Sequence, residues 1–450
     1  MALAWVASAS SSLTGSRALV LLDSLDDTDS YSSFLKDLED RHYRLSIEEV
    51  GSEIKLSKND ERNFDHLLLL TKLKSYPKGL TAKGFIEFVA DGGNLLIAAS
   101  PDMGTPLREL AREFDVEFDD RQTTVLDHFH YDTKLGAEKH DAIVVPASTN
   151  VLNNEHIIPQ AQVAGQSILF RGIAHSVNPT NPLLTSVLWA PNEAYSWETV
   201  NLSEPAKQGP LTMMAGKDIS LASVMQARNN ARVAFVGSTE MLSDRFFDAQ
   251  PEPISVSGAE TTTTTTKNAN RAFVAELTKW TFQEKGVVEV RNVHHHKVGE
   301  DLAPAHYRIK ENMTYTIEMS VFHDDEWHPL IADDVQLELI MLDPYIRKTL
   351  DRIDGGEGST LGIYTTTVQL PDQYGVFKFT VNYKRLGLTY IESITTVGIH
   401  PLRHDQYPRF ISQAKPYYTS AASMAVGFLV FSFIYLWGGL DSSAKTTKKA

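Results

Sequence analysis

Cysteine is absent from all 450 residues. Without thiols the chain has no disulfide, no thiolate zinc site, no iron–sulfur cluster and no cysteine nucleophile. An excess of positive charge is missing too. Lys and Arg number 42 against 57 Asp and Glu, a formal charge of −15 with no long basic run, so a nucleic-acid partner is excluded on electrostatic grounds. No Walker loop, no Gly-x-Gly-x-x-Gly after a strand, no Gly-x-Ser-x-Gly elbow and no repeat period is found, which removes the usual signatures of nucleotide binding, α/β-hydrolase chemistry and solenoids. What remains is ordinary globular material, 42% hydrophobic and 22% charged, long enough for about two to four domains.

The strongest positive signal lies near the C-terminus. Tyr417 to Leu440 is a 24-residue stretch without Asp, Glu, Lys or Arg. As a helix it would extend about 36 Å, enough to cross a hydrocarbon core of roughly 30 Å. Tyr417, Tyr418, Tyr435 and Trp437 sit near its two ends, where amphipathic rings prefer the membrane interface. Thr419, Ser423 and Gly427 recur every four residues, so one helical face carries small side chains against which a second helix can pack. Lys445, Lys448 and Lys449 follow the span, and Arg409 and Lys415 precede it, a small charge bias that points the tail to the cytosol. Leu3 to Val6 followed by the small residues Ala7 to Ser12 reads as the remnant of a secretory signal. The sequons at Asn201 and Asn312 fit a lumenal body, whereas Asn178 is spoiled by Pro179.

Ahead of the span the texture changes once. Ala18 to Asp23, His66 to Thr71, Asn94 to Ser100, Ala142 to Pro146, Ser167 to Phe170 and Arg232 to Ser238 are short apolar runs suited to strands buried on both faces. Between them, Ser30 to His42, Thr81 to Asp91, Leu107 to Phe114 and Asn270 to Gln283 have helical periodicity, and Thr261 to Thr266 is a low-complexity loop. This alternation predicts an α/β open-sheet domain over 17–286, after a signal remnant at 1–16. From Gly286 onward, Tyr315 to Val321, Val335 to Met341, Tyr364 to Leu370 and Val376 to Tyr383 alternate in strand fashion, which predicts an antiparallel β-sandwich over 287–400. A linker at 401–416, the transmembrane helix at 417–440 and a tail at 441–450 complete the expected order.

Several clusters carry candidate chemistry. Asp23, Asp26, Asp27 and Asp29 follow the first strand, at the edge where open sheets bind ligands; they read either as oxygen ligands for a cation or as acids favouring a helical first turn. Ser100, in the loop Ala98 to Asp102, stands where a hydrolase would place its nucleophile, with His128 or His130 as base, although Pro101 removes an N–H from any oxyanion hole. On an extended backbone His128 and His130 would share one face, as would His294 and His296. Two ligands alone do not make a zinc site. The best candidates for a glycan or lipid-linked sugar contact are Asp23, Ser100 and Asp102, since carboxylates and hydroxyls hydrogen-bond sugar hydroxyls well. No cofactor or metal is required by any of these residues.

Blocks of sequence add a resemblance. Leu19 to Asp23, Asp91 to Asn94 with Ala98 to Ser100, Pro106 to Leu110, Leu169 to Gly172, Gln226 to Arg232 and Leu370 to Phe377 together resemble the non-catalytic, single-span subunits of the oligosaccharyltransferase complex, in family order from about Arg17 to Leu436. The resemblance implies an endoplasmic reticulum membrane protein of type I topology, with a lumenal body, a short cytosolic tail and an amidotransferase-like (flavodoxin-like) N-terminal domain. It implies an accessory role in transferring a dolichol-linked oligosaccharide to nascent chains, beside a catalytic multispan subunit and small membrane subunits. Amidotransferase activity does not carry over, because the cysteine it needs is lacking. The leader is shorter than the family's, and Lys448 and Lys449 stand one place off a dilysine retrieval pattern. The alternatives from other classes are a stand-alone lumenal hydrolase using Ser100 and a single-span adhesion receptor.

Overall fold

A computed structural model describes residues 12–446 apart from 59–60, 137, 199–213, 253–266, 324, 354–359, 408 and 410. Asn201, the threonine run at 261–266, most of the leader and Lys448 and Lys449 lie outside the described residues.

The first apolar run forms the strand Arg17–Leu22, flanked by Arg44–Glu49 on one side and His66–Leu70 on the other, and Asn94–Ala98 and Arg232–Val236 extend the sheet. All four pairings are parallel. Ser220–Gln226 then adds antiparallel, and His175–Val177, Val116–Phe118 and Leu184–Trp189 bring the sheet to nine strands. The parallel part has the flavodoxin-like order, in which the chain leaves its first strand in both directions.

Alternation along each strand sorts the core into two layers. Ala18, Val20 and Leu22 face the helices Ser32–Asp40 and Asn270–Thr281, packing with Phe34, Leu38, Phe273 and Trp280. Leu19 and Leu21 face Ala82–Ala90 and Thr105–Arg112, packing with Phe85, Phe88, Leu107 and Leu110. Each such side chain removed from water contributes about 1.5–3 kcal/mol, which is why runs apolar at every position end up in the middle of the sheet.

Two expectations need correction. Ile143–Pro146 and Ser167–Phe170 do not continue the main sheet; they pair with each other as a separate antiparallel ribbon. Both runs are mostly apolar, and that pattern fixes burial without fixing the partner. A second ribbon joins Thr123–Leu126 to Tyr195–Glu198.

From Val287 the chain builds two five-stranded sheets around a separate core that includes Tyr315, Ile317, Leu337, Tyr364, Phe377 and Phe379. Pairing is antiparallel except for the short His306–Arg308 beside Ile391–His400. The turn between Gly375–Tyr383 and Ile391–His400 reaches back onto the α/β layers. Trp280 donates its indole N–H to Gly387 O (2.9 Å), Gln226 donates to Leu388 O (2.9 Å), and Asn230 both donates to Tyr390 O (3.1 Å) and accepts from Tyr390 N (2.7 Å). Beneath this contact Arg232, fully buried, donates to the carbonyls of Trp280, Lys285 and Gly286 at 2.7–2.8 Å. Gly387 has φ +88°, and a Cβ there would stand 2.9–3.1 Å from Asn154, His156 and Ile157, so close approach and backbone conformation both demand glycine.

The last helix runs Lys415–Thr446, and its Ser412–Gly438 segment, with the preceding turn, is long and apolar enough to cross a membrane and is not buried within the molecule.

Candidate functional site

The carboxyl ends of the parallel strands converge where the strand order reverses, between Arg17–Leu22 and His66–Leu70. Three residues marked out in the sequence are brought together there. Asp23 accepts from the backbone N of Lys72 (3.0 and 3.2 Å) and from the hydroxyl of Thr71. Thr71 in turn accepts from Leu73 N at 3.0 Å. The ammonium of Lys72 reaches Asp102 at 3.3 Å, so this one residue ties Asp23 to Asp102. That ion pair is exposed and worth little stability.

Ser100 occupies the next strand end. It is 9% exposed, its carbonyl accepts from Met103 N (3.0 Å), and its hydroxyl has no hydrogen-bond partner. A buried hydroxyl without a partner costs about 1–3 kcal/mol. It also lacks the base that a hydrolytic serine needs, and His128 and His130 are engaged elsewhere. The acidic run following Asp23 forms a 3-10 turn, Leu25–Tyr31, with Asp26 and Asp27 in its first turn and Ser24 accepting from Asp26 N (3.3 Å). This is the helix-terminus reading of those acids. Among the described residues no group of three or more His, Asp or Glu is placed to hold a metal ion.

The histidine-bearing loop departs from the extended backbone expected of it. Asp127, fully buried, accepts from Phe129 N (2.7 Å) and His130 N (3.0 Å) and pairs with the His130 ring (3.2 Å). This Asx turn folds the segment, and the two imidazoles take different partners. His128 is instead hydrogen-bonded to His140 (2.6 Å, Nδ1 to Nδ1) and to the Tyr195 hydroxyl (2.7 Å). Burial, then the neighbouring His128, hold the His140 imidazole below its ordinary pKa. His140 stacks on Tyr131 at 3.8 Å and 14°. Tyr195 and Trp197 were not singled out from sequence, because they lie more than 50 residues from the loop they join. His294 and His296 do share a strand face, with ring centroids 5.3 Å apart.

In the last helix Thr419 donates to Lys415 O and Pro416 O (2.9 Å each) and Ser423 to Ser420 O (2.8 Å), so both hydroxyls are satisfied within the helix. Nothing lies within 4 Å of where a Gly427 Cβ would be. Asn312, the first residue of Asn312–His323, is exposed.

The sequence of residues 9–284 matches the family described as OST48, N-terminal domain, and residues 294–439 match the OST48 middle domain. The chain belongs to the OST48 family. Its relatives carry the name dolichyl-diphosphooligosaccharide–protein glycosyltransferase 48 kDa subunit. The Danio rerio protein is 36% identical over 422 residues, covering 93% of this chain and 91% of its own length. The Caenorhabditis elegans protein is 35% identical over 94% of this chain and 91% of its own, and the Arabidopsis thaliana protein 35% identical over 94% and 93%. The OST48 match spans both the open sheet with its carboxyl-edge cluster and the sandwich with the apolar helix.

Proposed function

We propose that the chain is a non-catalytic accessory subunit of an oligosaccharyltransferase complex, supporting assembly and the handling of the lipid-linked oligosaccharide during N-linked glycosylation of nascent proteins. The observation that carries the reading is the pair of OST48 matches in order along the chain, together with relatives of that name aligned over more than nine-tenths of it. Neither a stand-alone hydrolase nor an adhesion receptor draws comparable support, and Ser100 has no activating base.

In this reading the chain is a single-pass type I protein of the endoplasmic reticulum membrane. The body lies in the lumen, where Asn312 and Asn201 meet the glycosylation machinery, and the tail faces the cytosol. The apolar helix is covered by lipid and by helices of the catalytic multispan and small membrane subunits, with Thr419, Ser423 and Gly427 as the packing face. Asp23, Ser100 and Asp102 contact the glycan. In this reading the body is a platform with no turnover of its own and no cofactor.

Purification of the full chain in mild detergent, with identification of what comes with it, tests the assignment. Transferase subunits in stoichiometric yield are expected; a monodisperse chain free of them would refute it. Protease protection of the body in sealed microsomes tests the orientation, and Gly427→Leu should loosen subunit association if the small-residue face is the contact.

A further inference from the structure

The ribbon Thr123–Leu126/Tyr195–Glu198 has one face in the main core and one that is buried at Thr124 and Leu126 but only half-buried at Tyr195 and Trp197. Val125, opposite Ser196, packs into the main core cluster with Ala194. The other face carries Thr124, Leu126, Tyr195 and Trp197, because residues directly opposite one another in an antiparallel pair share a side. Beyond Leu126 the row continues through His128. Five rings follow one another: Trp197, Tyr195, His128, His140 and Tyr131, with successive centroids 6.5, 5.7, 4.9 and 3.8 Å apart. His128 is exposed, Trp197, Tyr195, His140 and Tyr131 are half-buried, and Phe129 at the margin is 50% exposed.

A second, independent observation points to a ligand. Thr124 lies opposite Trp197 on that same face, is only 6% exposed, and its hydroxyl has no hydrogen-bond partner. The row also starts at the cluster described above, since Gln122 N donates to Pro101 O (3.0 Å), between Ser100 and Asp102.

We infer that this row of rings is a saccharide-binding surface continuous with the carboxyl-edge cluster. Sugars present apolar C–H faces and a rim of hydroxyls that both donate and accept. Aromatic rings meet the faces, while phenol and imidazole meet the rim. Charged groups of both signs follow the row in sequence: Glu198, Arg121 and Lys139 are exposed, Lys134 is paired with Glu252 (2.6 Å) and Asp141 with Arg171 (3.2 Å), so no concentration of positive charge marks the row for a diphosphate and a neutral glycan is the better fit. Identifying the glycan as that of the lipid-linked donor rests on the function proposed above; the saccharide class does not.

The test uses the full-length chain purified in mild detergent with whatever subunits accompany it, and a neutral mannose-rich oligosaccharide, free of lipid and phosphate, as probe. Saturation-transfer NMR and fluorescence anisotropy of the labelled sugar read binding. Trp197→Ala and Tyr195→Ala should each weaken it about three- to tenfold, and Tyr195→Phe, which keeps the ring and loses only the bond to His128, should weaken it less. An unchanged melting temperature in Tyr195→Phe and Trp197→Phe keeps folding out of the comparison. No binding by the wild-type protein, or binding indifferent to both alanine changes, overturns the inference. So does loss of a co-purifying subunit in these variants without loss of sugar binding, which would mark a protein interface. If transferase subunits are missing from the wild-type preparation but ring-dependent binding persists, the proposed function fails and the saccharide surface stands.

Discussion

The joint beside Arg232 and the rim beside Ser100 lie at opposite ends of the same parallel strands, and they use polar groups in opposite ways. At the joint a fully buried guanidinium gives three bonds to carbonyls and lies 4.6 Å from the Trp280 ring, while burial pulls its pKa down to about 9. Close by, Lys285, pulled down to about 8 by burial, pairs with the buried Glu276, which also accepts from Lys279 (3.0 Å). At the rim, the hydroxyls of Ser100 and Thr124 are buried and unpaired. The first region commits most of its hydrogen-bonding groups to holding the open sheet against the sandwich, with only Arg232 Nε and Gln226 Oε1 left over; the second leaves both of these hydroxyls without a partner.

The largest expected effect follows from breaking the joint. Arg232→Met removes three charged donors at once: Lys285 O loses its partner, while Trp280 O and Gly286 O keep only the backbone N–H of Gln283 (3.1 Å) and Thr389 (2.9 Å), at a cost of about 3–5 kcal/mol. Arg232→Lys should recover only part of this, because an ammonium cannot reproduce the fork that spans three carbonyls. A fall of about 5 °C or more in the apparent melting temperature is expected for the methionine variant; a fall under about 2 °C would mean the joint is not what holds the two bodies together.

Acid should attack the α/β layers from inside. Burial holds His66 down to about 4 and His175 down to about 3. Both are lower in the folded chain than the ordinary 6.5, so the unfolded chain binds protons first as pH falls. Their stabilisation is fully present above pH 6.5 and drains away toward pH 4 and 3, at about 1.4 kcal/mol per pH unit for each group. At pH 4 this comes to about 3 kcal/mol for His66 alone. Melting temperatures between pH 7 and pH 4 check the slope, and His175→Gln should flatten it.

Much of this architecture was readable in the chain, for reasons that also explain the gaps. Strands apolar at every position, such as Ala18 to Leu22, advertise double-sided burial, and the carboxyl-edge rule then points to Asp23, Ser100 and Asp102. Arg44–Glu49 escaped notice because it is an edge strand, half-buried and charged at its ends. Ser220–Gln226 escaped because its polar residues are hidden in pairs: Ser220 with Ser186 at 2.6 Å and Ser223 with His175 at 2.9 Å. The row of rings could not be seen, since no local pattern tells His128 that Tyr195 lies beside it. Only the strand pairing does.

A smaller effect isolates how tightly the joint is packed. Gly387→Ala adds a Cβ at φ +88° into contacts of 2.9–3.1 Å, whereas Gly299→Ala adds one at φ +91° with nothing within 4 Å. The second change carries the left-handed backbone penalty alone, about 1 kcal/mol. The first adds overpacking of about 1–3 kcal/mol. Equal destabilisation of the two variants would show that the turn tolerates displacement and that the joint is looser than its hydrogen bonds suggest.

The smallest change in stability is expected where the largest change in function is sought. Ser100→Ala removes a buried hydroxyl that has no partner, so folding should be unaffected or improved by up to about 1 kcal/mol. At the joint, removal of a polar group is paid in stability; here it should appear only as weaker glycan binding or slower transfer by the purified complex. Asp102→Ala extends the test, since the Lys72 pair it breaks is exposed and contributes about 0–1 kcal/mol. If both variants keep full transfer activity and full affinity for the oligosaccharide, the unpaired hydroxyl is a packing defect and the contrast between the two ends of the sheet carries no functional meaning. If Ser100→Ala instead lowers the melting temperature, Oγ has a partner in solution and the rim is as structural as the joint.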